Sequence, residues 1–156
     1  MTPIWEGTTN ILSLDVLRAM AKSEGQVLHA FHGRIQQVLD TPSLPSQLAE
    51  SCQQLEKTRS ELLSFITKNT DKLEYLARDL SFGLARTLAG ALLLEHASWN
   101  GATESDRAGA NRWLLQSHLL PESLTSANHQ IKQNSLDDQA LVFDGYHPNN
   151  LLSPLF

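Results

Sequence analysis

Apolar residues recur at three- and four-residue spacing through most of this chain, and no segment alternates at the period of two that a half-buried strand requires. Over residues 9–22 the apolar positions cover most of a helical circumference, from Ile11 and Leu12 through Leu17 to Met20. Only Asp15, Arg18 and Lys22 form a polar stripe there. A helix apolar on nearly every side expects neighbours on several sides. Gly25 marks a break, and a second helix is predicted over 26–40 from Val27, Leu28, Phe31, Ile35 and Val38. Two prolines, Pro42 and Pro45, stop it. A third helix over 46–67 carries Leu48, Cys52, Leu55, Leu62 and Ile66 on one face and charged residues on the other. The spacing of Leu73, Leu76, Leu80, Leu84, Ala91 and Leu94 predicts a long fourth helix over 71–99. Gly83 and Gly90 lie seven apart on one side of it and imply close helix packing, because glycine costs about 1 kcal/mol against alanine in a helix interior.

Asn100-Gly101 ends the fourth helix in the manner of a glycine C-cap. The run from Thr103 to Asp106 opens a fifth helix with a capping-box pattern, extending to about residue 118. Pro121 stops it, periodicity fades from Glu122 onward, and one short helix is plausible over 136–143. The connections are short, so the expected fold class is all-α, an antiparallel helical bundle.

Composition narrows the functional classes. A chain of 156 residues is long enough for one domain with a core. Net charge is −5, and beyond residue 23 there are 10 Lys plus Arg against 15 Asp plus Glu, which argues against nucleic-acid binding. The basic residues Lys57, Arg59, Lys68, Lys72 and Arg78 cluster in sequence, but acidic residues interleave with them. The single Cys52 excludes an internal disulfide and suits a reducing compartment. Among Leu48 and Leu55 it reads as a buried structural thiol. No stretch reaches the roughly 20 apolar residues of a membrane span. His29 and His32 lie three apart without further ligands nearby in sequence, so no metal site is expected.

The segment richest in chemistry is Pro3-Ile4-Trp5-Glu6-Gly7-Thr8-Thr9-Asn10, which runs directly into the first helix. It sets one carboxylate, Glu6, beside an apolar indole, and burial of that kind raises a carboxylate's pKa and suits it to act as a base. Gly7 permits close approach by backbone or ligand. Thr8, Thr9 and Asn10 place hydroxyls, an amide and free first-turn N–H groups at one end, a combination that suits a polar or anionic ligand. The plainer alternative is an ordinary helix start with Glu6 in solvent.

Residues 3–18, Pro-Ile-Trp-Glu-Gly-Thr-Thr-Asn-Ile-Leu-Ser-Leu-Asp-Val-Leu-Arg, resemble the segment of acyl-CoA dehydrogenases in which an aromatic-Glu-Gly-Thr/Ser turn precedes a helix containing Arg. Trp5 and the Leu-Asp-Val-Leu-Arg continuation resemble the branch that includes bacterial alkylation-response flavoproteins and long-chain relatives with an extra C-terminal helical domain. The resemblance implies that Glu6 is the catalytic base taking the α-proton of an acyl-CoA thioester while the β-hydrogen leaves as hydride to flavin N5. It implies that Trp5 and Gly7 contact the acyl-CoA substrate and that Thr8, Thr9 and Asn10 contact FAD. Asn10 stands where the main family has Gln. Three parts follow from it: 1–23 ends a dehydrogenase helical bundle with the base loop, 24–120 is a helical extension domain, and 121–156 is a weakly structured tail.

The motif begins at residue 3, so the chain reads as the C-terminal portion of a longer flavoenzyme and is expected not to hold FAD or oxidise acyl-CoA alone. The resemblance also implies a homo-oligomer and a mitochondrial or cytosolic setting, with the compartment left open. The alternative function is a non-catalytic α-helical module for oligomerisation or partner binding, with Glu6 vestigial.

Overall fold

The computed structural model describes residues 9–41, 44–115 and 119–125. The chain divides into two units, Met1–Thr125 and Ser126–Phe156, and every described residue belongs to the first. Six α-helices occur among the described residues, α1 (Thr9–Lys22), α2 (Gln26–Leu39), α3 (Ala49–Lys68), α4 (Ala77–Ala97), α5 (Glu104–Leu115) and α6 (Glu122–Thr125), with a short 3-10 turn at Ser46–Leu48. The all-α class holds. The helix expected over 136–143 lies outside the described residues.

α4 is the axis of the unit and touches each of the other five helices. Its buried positions, Leu80, Gly83, Thr87, Gly90, Ala91 and Leu94, fall at helical spacing on one side. They meet Leu55 and Leu62 of α3, Leu114 of α5, and Ile35 and Val38 of α2 in a core from which solvent is almost wholly excluded. The glycine pair does what its spacing implies. A methyl group at Gly83 would lie 3.1 Å from Leu62 Cδ2, and one at Gly90 only 2.6 Å from Leu114 Cδ2. Thr87 Oγ1 donates back to the Gly83 carbonyl at 2.7 Å, which satisfies a hydroxyl buried in the same seam.

α4 and α5 run antiparallel. Trp113 Nε1 donates to the Arg86 carbonyl at 3.1 Å, while nearer the turn His96 Nε2 lies 3.5 Å from Asp106 Oδ1. The head of α5 is a reciprocal cap. The Thr103 N–H donates to Asp106 Oδ2 at 2.7 Å, and the Asp106 N–H donates to Thr103 Oγ1 at 3.3 Å. Polar ties fix α3 to its neighbours. Ser51 Oγ donates to Asn111 Oδ1 of α5, and the nearly buried Arg59 donates to Gln36 Oε1 of α2 and Glu56 Oε1.

Three local expectations need correction. α4 starts at Ala77 rather than 71, because residues 70–76 form successive turns held by the Lys72 N–H on the Asn69 carbonyl and the Leu76 N–H on the Lys72 carbonyl. Leu73 and Leu76 still point inward, so apolar spacing persisted where helical backbone did not. Gly101 is not a left-handed cap. The helix closes through Ser98 in ordinary helical backbone, and at Gly101 the Trp99 ring lies where a Cβ would sit, 2.6 Å from it. The fading pattern after Pro121 also concealed α6, whose Leu124 is buried and packs over Gly83.

Candidate functional site

Of the six residues singled out from sequence, Trp5, Glu6, Gly7 and Thr8 lie outside the described residues. Thr9 and Asn10 are the first two residues of α1, and both are exposed. The Thr9 carbonyl accepts a hydrogen bond from Ser13 Oγ at 2.8 Å, which anchors the first turn. Helix geometry leaves the N–H groups of that turn without intrahelical partners, so the end of α1 presents donors beside a hydroxyl and an amide.

α1 is seated by a narrow stripe. Only Ser13 and Met20 are buried, and it packs chiefly on α4. Two left-handed residues, Glu24 (φ 51°) and Gly25 (φ 86°), turn the chain from α1 into α2. This turn leaves a groove of about 480 Å³, lined by Leu14, Leu17, Met20, Leu28, Ile66 and Leu73. Arg18 and Glu74 contribute one charge of each sign, and Arg18 is already paired with Asp15. The groove is aliphatic and nearly charge-neutral. Sequence reading did not locate it, although the all-round apolar character of 9–22 was the signal for it.

The remaining candidates are structural. Among the described residues no group of three or more His, Cys, Asp and Glu is placed to hold a metal ion. Cys52 is half-buried against the core, and burial pushes its thiol pKa up, the opposite of an activated nucleophile. Arg59, one of the basic residues clustered in sequence, is turned into the protein and paired with Glu56. No helix among the described residues is long and apolar enough to cross a membrane.

Comparison with known proteins converges on one group. The family model described as "Acyl-CoA dehydrogenase 11 C-terminal domain-like" matches residues 26–143. The Caenorhabditis elegans protein "Acyl-CoA dehydrogenase family member 11" is 35% identical across 94% of this chain and 24% of its own length. The crystal structure of Caenorhabditis elegans ACDH-11 in complex with C11-CoA superposes with a TM-score of 0.74, at 35% identity, over 93% of this chain and 25% of that one. The chain therefore spans about a quarter of the length of the curated relative it matches.

Proposed function

The chain belongs to the acyl-CoA dehydrogenase 11 C-terminal domain-like family, and from that membership we propose that it serves as the C-terminal portion of an FAD-dependent acyl-CoA dehydrogenase. The observation that carries this reading is the likeness to the worm relative at 35% identity over 93% of the chain, a span that takes in more than the family domain at 26–143. That relative was solved with C11-CoA, which supports an acyl-CoA thioester as the substrate class.

In this reading Glu6 takes the α-proton of the thioester, and the Trp5 indole shields the carboxylate from water so that it stays basic enough for a weak carbon acid. Gly7 leaves room for the thioester, and Thr8 contacts the cofactor beside Thr9 and Asn10. The described geometry fits a contribution to FAD rather than a whole site. Exposed Thr9 and Asn10 at a helix start can meet a polar or anionic edge. The aliphatic groove of about 480 Å³, where Glu74 offsets the single cation Arg18, lacks the net positive charge and the many donors that a dinucleotide requires. FAD, when bound, supplies the hydride acceptor. Residues 1–23 complete the dehydrogenase bundle, 24–120 form the helical extension, and the assembled enzyme is a homo-oligomer.

The test is Glu6→Gln in the longer protein that carries this segment. Acyl-CoA dehydrogenation should fall by about 10² to 10⁴, the range for loss of a general base, while flavin absorbance stays with the protein. Turnover at the unsubstituted rate would remove Glu6 from the mechanism. The second reading, a non-catalytic association module, is favoured by the apolar residues that α1 and α4 leave in solvent.

A further inference from the structure

α4 and α5 are joined by residues 98–103, and the centre of that link is the dipeptide Asn100-Gly101. The Ala102 N–H donates to the Trp99 carbonyl at 2.9 Å, which closes a β-turn with Asn100 and Gly101 in its central positions. Such a turn uses the N–H of its last residue and leaves that of the residue before it free. Accordingly, the Gly101 N–H and the Asn100 side-chain amide have no hydrogen-bond partner among the described residues. Both residues are exposed. Glycine has no Cβ to hinder its own nitrogen, and here the Trp99 ring takes up the space that a Cβ would need.

The other described asparagines are held or differently placed. Asn69 Nδ2 donates to the Phe65 carbonyl at 3.0 Å in a buried setting. Asn111 Nδ2 donates to the Gln47 carbonyl at 3.2 Å, and its Oδ1 accepts from Ser51 Oγ. Asn10 lies in the first turn of α1 with the branched Ile11 after it. Asn100 is the one asparagine of the sequence followed by glycine.

We propose that Asn100 is a site of spontaneous deamidation, at which the Gly101 nitrogen converts the side-chain amide into a succinimide that water opens to aspartate or isoaspartate. The deprotonated Gly101 nitrogen attacks Asn100 Cγ. A bond forms between that nitrogen and Cγ, the Cγ–Nδ2 bond breaks, and Nδ2 leaves as ammonia with the proton that Gly101 gave up. Nothing is oxidised or reduced. Water then cleaves one of the two imide bonds. Cleavage at Cγ gives aspartate on an unchanged main chain, and cleavage at the Asn100 carbonyl carbon gives isoaspartate, with the main chain routed through Cβ and Cγ. Either product adds one negative charge to a chain of net charge −5. Isoaspartate also lengthens the main chain inside the turn, beside the Thr103–Asp106 cap, and so loosens the link between α4 and α5. To reach Cγ the Gly101 nitrogen needs rotation about the Asn100 Cα–C bond, which opens the Trp99–Ala102 hydrogen bond. The net worth of one such bond corresponds to about tenfold in rate at most, so the fold restrains the reaction only weakly. The step uses the turn alone and does not rest on the dehydrogenase reading.

The test keeps the 156-residue chain folded at neutral and at mildly alkaline pH and follows it by peptide mass spectrometry. The peptide carrying Asn100 should gain the mass difference between acid and amide at least ~tenfold faster than those carrying Asn69 and Asn111. The rate should rise with pH, as more of the nitrogen is deprotonated, and an isoaspartate-specific carboxyl methyltransferase should label the product. Gly101→Ala should slow conversion at least ~tenfold, because its methyl group hinders the nitrogen. Asn100→Gln leaves Gly101 against the Trp99 ring and should slow it as much, because a larger ring must close. In the chain unfolded in urea, Asn100 should react no more than about tenfold faster than in the folded chain. Conversion of Asn100 no faster than of Asn69 and Asn111 overturns the proposal, as does a rate indifferent to both substitutions. A folded rate far below the unfolded one overturns it too, since the turn would then protect the pair. So does aspartate without isoaspartate, which would mean that water attacks the amide directly and the Gly101 nitrogen takes no part.

Discussion

α1 and α4 are alike in sequence and unlike in the structure. Both are apolar on most of their circumference, yet α4 buries eight of its residues between α3, α5 and their neighbours, whereas α1 buries only Ser13 and Met20. Ile11 and Leu12 of α1 remain 52% and 54% exposed, while Leu80 and Leu94 of α4 are fully enclosed. All-round apolar character thus records how many neighbours a helix expects, and the structure shows how many it has. For α4 the expectation is met on every side but one. For α1 it is met along a stripe, and the family domain begins at residue 26, just after α1 ends. The cluster from Ile35 to Leu119 contains no α1 side chain, and α1 packs on α4 outside it.

The largest test of this contrast is a pair of leucine truncations. Leu94→Ala removes methyl groups that are fully buried in the core cluster and should cost about 2–5 kcal/mol in urea unfolding. Leu12→Ala, on the exposed side of α1, should stay within about 0.5 kcal/mol. Equal losses would mean that α1 is as much a part of the core as α4.

Two glycines sharpen the contrast at smaller amplitude, since they matter for different reasons. Gly90→Ala would set a methyl group 2.6 Å from a Leu114 carbon in the sealed α4–α5 seam, an overpacking expected to cost about 1–3 kcal/mol. Gly25→Ala meets nothing within 4 Å, and its cost is the left-handed backbone alone, about 1–2 kcal/mol. Moving Leu114 away, as in Leu114→Val, should relieve the first substitution and leave the second unchanged, which a double-mutant cycle measures directly.

How far the sequence disclosed this arrangement follows from what periodicity reports. Apolar spacing reports which residues turn inward, so the positions of α2, α3 and α5 and the tight seam at Gly83 and Gly90 were legible. It does not report backbone dihedrals, which is why Leu73 and Leu76, inward-facing on successive turns, read as the start of α4. α6 is too short to show a period, and it docks through the buried Leu124 and through Ser123 Oγ, which donates to Asp79 Oδ2 of α4. The groove beside α1 depends on a non-local meeting of Leu14, Leu28 and Leu73 that no local pattern encodes. Of the candidate site, the chemistry of the Glu6 turn was read from residue types, and the structure adds only the exposed Thr9 and Asn10 end of α1.

The smallest expected effect separates the two regions by pH. The core region is joined at its turn by Asp106, which accepts from the Thr103 backbone and hydroxyl and lies beside His96. Hydrogen bonds from Thr103 hold the Asp106 carboxyl below its ordinary value of 3.8, with His96 a lesser influence. A carboxylate whose folded-state pKa is depressed contributes stability that is present above the unfolded value and is lost as pH falls through the folded one. Amide exchange at residues 103–106 should therefore quicken as pH drops below about 3.8, relative to the intrinsic rate. α1 has only the exposed Asp15–Arg18 pair, and ion pairs of that kind contribute little, so its protection should follow pH less steeply. Asp106→Asn should abolish the difference between the two helices. If the difference persists in that variant, acid sensitivity resides elsewhere in the core and not in the cap that closes α4 against α5.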